Sequence, residues 1–343
     1  MYKIFAGLNY PDKYGIDNII KILSRHSAIV IVEEEADIFL FPVLYEILFE
    51  YTDSEYKNAN FKQDEISVLK TQFKSMTDAA VKYGKKILVF YYRDPVKKIE
   101  IPNSVIFRTS LLKSQQINEY AIPAYVKNLQ PKTELTLLAK SDKPSVGFRG
   151  QAAPIDLPIK LRIRRFINKV FDTLRINKSV NLYYNFGYLA RRDAIYACIK
   201  NKKIKSDLTI TTAQQSIDGE SAKKLFLDNI LNNQYNICVS GHGNYSFRLY
   251  ETLCTGRIPV FINTDCVLPF EEFIDWKKHV VWIEEKDAYK TDKLILQFHK
   301  SISQADFMKL QQNNRLLWEQ YLCPEGFYEN LHKYFDIINN VLG

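Results

Sequence analysis

Residues 236–262 read NICVSGHGNYSFRLYETLCTGRIPVFI. NICVS and IPVFI are short apolar runs of strand length, and the segment between them has helical spacing, so the stretch predicts strand, loop, helix, strand. Two buried strands joined through one helix make a parallel βαβ unit. Ligands of such sheets bind beyond the carboxyl ends of the strands, where free N–H groups and the partial positive charge of a helix N-terminus attract anions. The loop Gly241-His242-Gly243-Asn244-Tyr245 lies there, with Ser246 as the expected N-cap of a helix starting at Phe247. Gly241 and Gly243 let the backbone come close to a phosphate. On the helix, Arg248, Glu251, Thr252 and Thr255 fall on one polar stripe. An arginine in a first turn opposes the helix dipole, and a bound anion would offset this. Arg248 is therefore expected to clamp a diphosphate and Glu251 to accept hydrogen bonds from ribose hydroxyls. The alternative is an ordinary surface Arg/Glu pair. Gly256 would end the helix as a C-cap.

The same alternation extends outward. KIFAG (3–7), AIVIV (28–32), IFLF (38–41) and KILVFYY (86–92) read as strands, with helices at 16–25 and 64–83. The pattern lapses into polar residues around 128–143 and restarts with SVGF (145–148), helices near 157–177, 188–200 and 220–232, DLTIT (207–211) and VVWIE (280–284). A chain of 343 residues exceeds the comfortable size of one core. The expected division is residues 1–135 and 136–305 as two Rossmann-like domains, with a central cleft between them. Residues 306–343 are expected as helices packing across both, with Phe307, Trp318, Tyr321, Phe327, Tyr328, Tyr334 and Phe335 on their apolar face.

Hydrophobic residues are 46% and charged residues 25% of the chain, which marks a folded domain and excludes low-complexity and collagen-like classes. The first residues lack a signal-peptide pattern and the longest apolar stretch, 38–49, is broken by Pro42 and Glu46. Five scattered cysteines suit reduced thiols. These features together predict a cytoplasmic protein. The net charge of +8 is concentrated in residues 157–178, which hold seven basic residues and one acidic. Apolar residues there recur at helical spacing, so the segment is either a core helix with a basic solvated face or an anchor to the anionic inner membrane face. No aromatic platform interleaves the basic residues, which argues against nucleic acid as a partner.

SFRLYETLCTGRIPVFI followed by LPFEEFIDWKKHVVWIEEKD (268–287) resembles the exostosin-like glycosyltransferases, family 47. Their signature runs Ser-x-Arg-x-x-Glu, a glycine, Ile-Pro-Val, Leu-Pro-Phe and Ile-Asp-Trp. EEADIFLFPVLYE (34–46) is similar to that family's N-terminal segment, and KPSVGFRG (143–150) with Arg191 and Arg192 follows its order. The resemblance implies an α/β GT-B fold and inverting transfer of a sugar from a nucleotide diphosphate, UDP- or GDP-linked, to a glycan or lipid-linked acceptor in surface polysaccharide synthesis. It also implies that Arg248 contacts the diphosphate and Glu251 the ribose. The family's Gly-Arg-Asp-His segment is missing, Tyr91-Tyr92-Arg93-Asp94 being the nearest sequence. Two alternatives stay open: a fucosyltransferase-like enzyme using a GDP-sugar, and an inactive relative that only binds glycan or nucleotide.

Metal-dependent nucleotide-sugar enzymes hold their cation on an Asp-x-Asp pair. The chain has none, and its five histidines are scattered, so neither a metal nor another cofactor is expected. Phosphate charge would be met by Arg248, Arg149 and the 241–246 amides, with His242 a further donor. Inversion needs a base on the acceptor side. The candidates are Asp12, Glu46 and Asp94 at the ends of N-terminal strands, positions where turn and capping roles are the alternative.

Overall fold

Apolar strands buried on both faces dictate the architecture. A computed structural model describes residues 1–7, 10, 16–59, 61–130, 135–153, 187–211 and 219–340. The chain divides into two units. The first is Met1–Tyr125 with Val267–Glu271 and Glu319–Gly343, and the second is Val126–Cys266 with Glu272–Trp318.

In the first unit, β1 (Lys3–Phe5), β2 (Ala28–Ile29), β3 (Ile38–Phe41), β4 (Lys86–Tyr91), β5 (Ser104–Arg108) and β6 (Glu119–Ala121) form a parallel sheet in the order β2-β1-β3-β4-β5-β6. Every residue of β3 is buried, as a strand covered on both faces requires. Helices α1 (Ile16–Leu23), α2 (Tyr45–Phe49), α3 (Asp53–Asn58) and α4 (Gln63–Lys82) connect the strands. α4 stops before Gly84, whose φ of 63° is the left-handed turn that glycine accepts at no steric cost. β5 and β6 lie in the stretch 100–121, which the periodicity left without strands.

The second unit contains β7 (Ser145–Gly150), α5 (Tyr188–Lys200), β8 (Lys205–Ile210), α6 (Gly219–Leu231), β9 (Tyr235–Val239), α7 (Phe247–Cys254), β10 (Ile258–Asn263) and β11 (Val281–Glu284). α8 (Thr291–Ser301) and α9 (Gln304–Leu317) follow. Its strands are parallel in the order β11-β10-β9-β7-β8. Numbered from β7, this is 2-1-3-4-5, a doubly wound order whose direction reverses between β7 and β9. The loops leaving those two strands diverge, and the gap they leave is the expected ligand position.

By contacts the units divide at 125/126, where the sequence reading placed 135/136, and the tail is shared between them. Phe307 is buried in the second unit, 5.9 Å from Tyr235 between ring centroids. Beyond a π-helical turn at Trp318–Leu322, α10 (Pro324–Asn330) and α11 (Lys333–Asn340) belong to the first unit. There Phe327 meets Phe107 and Phe270, at centroid distances of 6.0 and 5.6 Å, and Tyr334 stacks on Phe270. The aromatic residues follow the core that accepts them. The predicted basic helix at 157–178 lies outside the described residues. Among the described residues no helix is long and apolar enough to cross a membrane.

Candidate functional site

At the reversal point of the second unit, a cavity of about 640 Å³ opens at the carboxyl ends of β7, β8 and β9. Arg149, Gly150 and Gln151 come from the end of β7, Thr211 from the end of β8, and Gly241 and His242 from the loop after β9. Tyr188 and Arg191 stand in the first turn of α5, while Arg248 and Glu251 project from α7. Phe226 and Leu227 of α6, with Leu129, supply apolar wall. All of these residues belong to one unit.

The loop after β9 is shaped locally. The Gly241 N–H donates to the Tyr245 carbonyl at 2.9 Å, closing a turn. The Thr264 hydroxyl lies 2.7 Å from Asn244 Oδ1 and 3.0 Å from Ser240 Oγ, which ties the loop to the end of β10. α7 starts at Phe247 after Ser246, whose backbone is extended, but the serine hydroxyl makes no capping hydrogen bond. The position was legible and the side-chain role was not. At the other end the Gly256 N–H donates to the Leu253 carbonyl and the Arg257 N–H to the Thr252 carbonyl, both at 2.9 Å, with Gly256 at φ 66°. This is a Schellman closure, and it sends the chain back into β10.

Arg248 is held by three contacts. Its guanidinium carbon sits 4.6 Å from the Phe148 ring centroid and 4.8 Å from that of Phe226, a cation-π contact to each ring. Nη2 donates to the Arg149 carbonyl. Nη1 is buried and has no hydrogen-bond partner among the described residues. A charged donor left so is costly unless a ligand completes it. Burial lowers the pKa of Arg248, and the Glu251 carboxylate opposes that shift. Burial also pushes the Glu251 carboxyl up to about 7, with the Arg248 charge acting the other way. Among the described residues, no ion pair joins the two, and the Glu251 carboxylate has no donor.

Arg191 is differently engaged. It donates to the carbonyls of Gln151 at 2.9 Å and Ser240 at 2.7 Å, stapling the ends of β7 and β9 together. Burial, with the like charge of Arg248 second, brings its pKa down to about 10. Arg192 instead pairs with Asp193 at 2.8 Å. Of the anion-binding residues expected from the sequence, Arg149, Gly241, His242, Arg248 and Glu251 line the cavity. Gly243, Asn244, Tyr245 and Ser246 do not; they build and fasten the loop behind it. Phe226, Tyr188, Thr211 and Lys223 were not singled out by sequence, because they come from other elements and carry no motif of their own.

The expected bases belong to the first unit. Glu46 is 2% exposed, and its carboxylate accepts the Tyr92 N–H at 3.1 Å, so it fastens the chain leaving β4. Burial raises its pKa, moderated by that N–H and by Arg93. Asp94 is exposed just beyond β4, and Asp12 lies outside the described residues.

Residues 187–298, which supply α5 through α8 and much of this cavity, match the Exostosin GT47 domain. Those residues are exostosin-like. Over 76 residues the chain is 37% identical to Exostosin-1 of Drosophila melanogaster, a stretch covering 22% of this chain and 10% of the fly protein. A probable glucuronosyltransferase 47 A of Physcomitrium patens is 44% identical over 59 residues, 17% of this chain and 13% of the moss protein. The matched stretches thus span small fractions of these curated relatives. A solved glycosyltransferase from Rickettsia africae ESF-5 aligns with 99% of this chain and 98% of its own at 12% identity and a TM-score of 0.34. The chain has two units, each built on a parallel α/β sheet, and C-terminal helices. Its signature is shared between the units. Arg248 and Glu251 serve the cavity, whereas Leu268-Pro269-Phe270 lies in Val267–Glu271, which belongs to the first unit. Phe270 is fully buried there, and its N–H donates to the Tyr334 hydroxyl at 2.8 Å.

Proposed function

We propose that this chain is a metal-independent glycosyltransferase that moves a sugar, with inversion, from a nucleotide diphosphate donor to a glycan or lipid-linked acceptor. The observation that carries the reading is Arg248: a buried guanidinium with one nitrogen unpartnered among the described residues, in a cavity at the reversal point of a doubly wound sheet. Arg149, Arg191 and Lys223 add positive charge to a lining in which Glu251 is the acidic member. The apolar wall of Phe226, Leu227 and Leu129 suits a nucleoside, and Arg248 with Arg149 and the Gly241-His242 end of the loop suits its diphosphate. As the bond between the anomeric carbon and the diphosphate oxygen breaks, negative charge grows on the leaving group, and fixed donors already aimed there lower the barrier.

The acceptor hydroxyl must lose its proton as it attacks from the opposite side. Asp94 is the candidate we keep for that step, since Glu46 is enclosed and engaged by the Tyr92 amide. Metal independence rests on the sequence, which has no Asp-x-Asp pair.

Thermal shift and calorimetry with UDP, GDP and their sugars test the reading. One nucleotide should stabilise the wild-type chain, and Arg248→Ala should weaken it by roughly 10- to 100-fold, the worth of a charge-assisted hydrogen bond to phosphate. A folded wild-type chain that responds to none of them would sink the proposal. Slow hydrolysis of the matching donor sugar, lost in Arg248→Ala, would separate an enzyme from a binding relative.

A further inference from the structure

Phe226 does more than line the cavity. It is half-buried on α6, an element outside the signature, and it supplies one of the two ring faces that the Arg248 guanidinium contacts. The other face is Phe148, buried in β7. A cation in contact with two ring faces has less room to swing, so the rings restrict the directions of its N–H bonds. One edge is then fixed by the Arg149 carbonyl, on Nη2. With the swing restricted and one edge fixed, Nη1 is left pointing in one direction, buried and without a partner among the described residues.

We infer that Phe226 is a positioning residue, which holds the Arg248 fork in the orientation that receives a diphosphate and so determines preference for a nucleoside diphosphate over the bare nucleoside. This rests on the donor-site reading above. An arginine free to swing would still attract an anion, but each productive contact would cost the ordering of a long side chain. α6 contributes the ring from a helix separate from α7, so the clamp also couples the placement of α6 to the phosphate end of the cavity.

The test compares wild type, Phe226→Leu and Phe226→Tyr, each checked by melting to be folded. Titrations use UDP or GDP, whichever binds the wild type, then the matching nucleoside and inorganic pyrophosphate. Phe226→Leu keeps an apolar wall and loses the ring. It should weaken the diphosphate and pyrophosphate about tenfold while leaving the nucleoside within about twofold, and Phe226→Tyr should restore the wild-type ratio. Equal weakening of nucleoside and diphosphate would make Phe226 plain wall and overturn the inference while leaving the donor site intact. No weakening, or no rescue by tyrosine, would overturn it too. If Phe226→Leu does not fold, Phe226→Met takes its place with the same expectations. A wild-type chain that binds none of the three probes removes the donor-site reading, and the inference with it.

Discussion

Glu251 shows how far a residue's chemistry depends on its surroundings. In sequence it is the i+3 neighbour of Arg248, and a surface pair would have been worth a few tenths of a kcal/mol. In the structure it faces a cavity without a donor, and burial raises its carboxyl to about 7 from an ordinary value of 4.5. A carboxyl whose folded pKa is raised costs stability once it ionises. The cost is absent below about pH 4.5, grows as pH rises, and is complete above about 7. Glu251→Gln should therefore match the wild type near pH 4 and exceed it at pH 8 by roughly 2 kcal/mol, reduced from the full shift because the group is partly solvated. Urea melts at the two pH values check this; an equal gap at both would contradict it. The sequence located both Arg248 and Glu251, because a helical stripe is local. That Arg248 contacts both Phe148 and Phe226 was not legible, since the three residues are brought together from β7, α6 and α7.

At the scale of elements, strands and helices with strong periodicity were legible to within a few residues. β5 and β6 were not, because SVIFR and EYA are short and surrounded by polar residues, and they are strands only because β4 offers them an edge. Close approach of elements sets two further expectations. A Cβ on Gly187 would stand 1.8 Å from the Ser240 carbonyl oxygen, where the start of α5 crosses the end of β9. Neither backbone can move freely there, because Arg191 of α5 also bonds the Ser240 carbonyl. Gly187→Ala should cost on the order of 3 kcal/mol and weaken nucleotide binding at the same time. Gly84→Ala, with open space around it but φ at 63°, should cost only about 1 kcal/mol and leave binding unchanged. Chemical denaturation and nucleotide titration of both variants distinguish these; similar losses in the two would argue against a close approach at Gly187.

At the scale of the whole molecule, a chain that returns to its first unit has its stability divided differently from its sequence. Phe327 is fully buried against Phe90, Phe107 and Phe270. Removing such a ring leaves a cavity, so Phe327→Ala should destabilise the first unit by about 3–5 kcal/mol. The described lining of the cavity comes from the second unit. Calorimetry should therefore show one transition moving down while the nucleotide-dependent transition keeps its shift. Loss of nucleotide binding in a sample that still melts cooperatively would show that the two units do not answer separately.

By itself, the sequence determined the class of the fold, the strand-loop-helix-strand at 236–262 and the two residues of α7 that face the cavity. Periodicity, capping and glycine conformation act over a few residues and can be read in order. Tertiary structure alone decided which side chains of the loop line the cavity and which fasten it, that Glu46 is enclosed, and that Phe226 and Phe148 hold Arg248. It also decided that the C-terminal aromatic residues divide between two cores. These are outcomes of burial and of contacts between segments distant along the chain. No local pattern encodes them, because each depends on what else fills the same space.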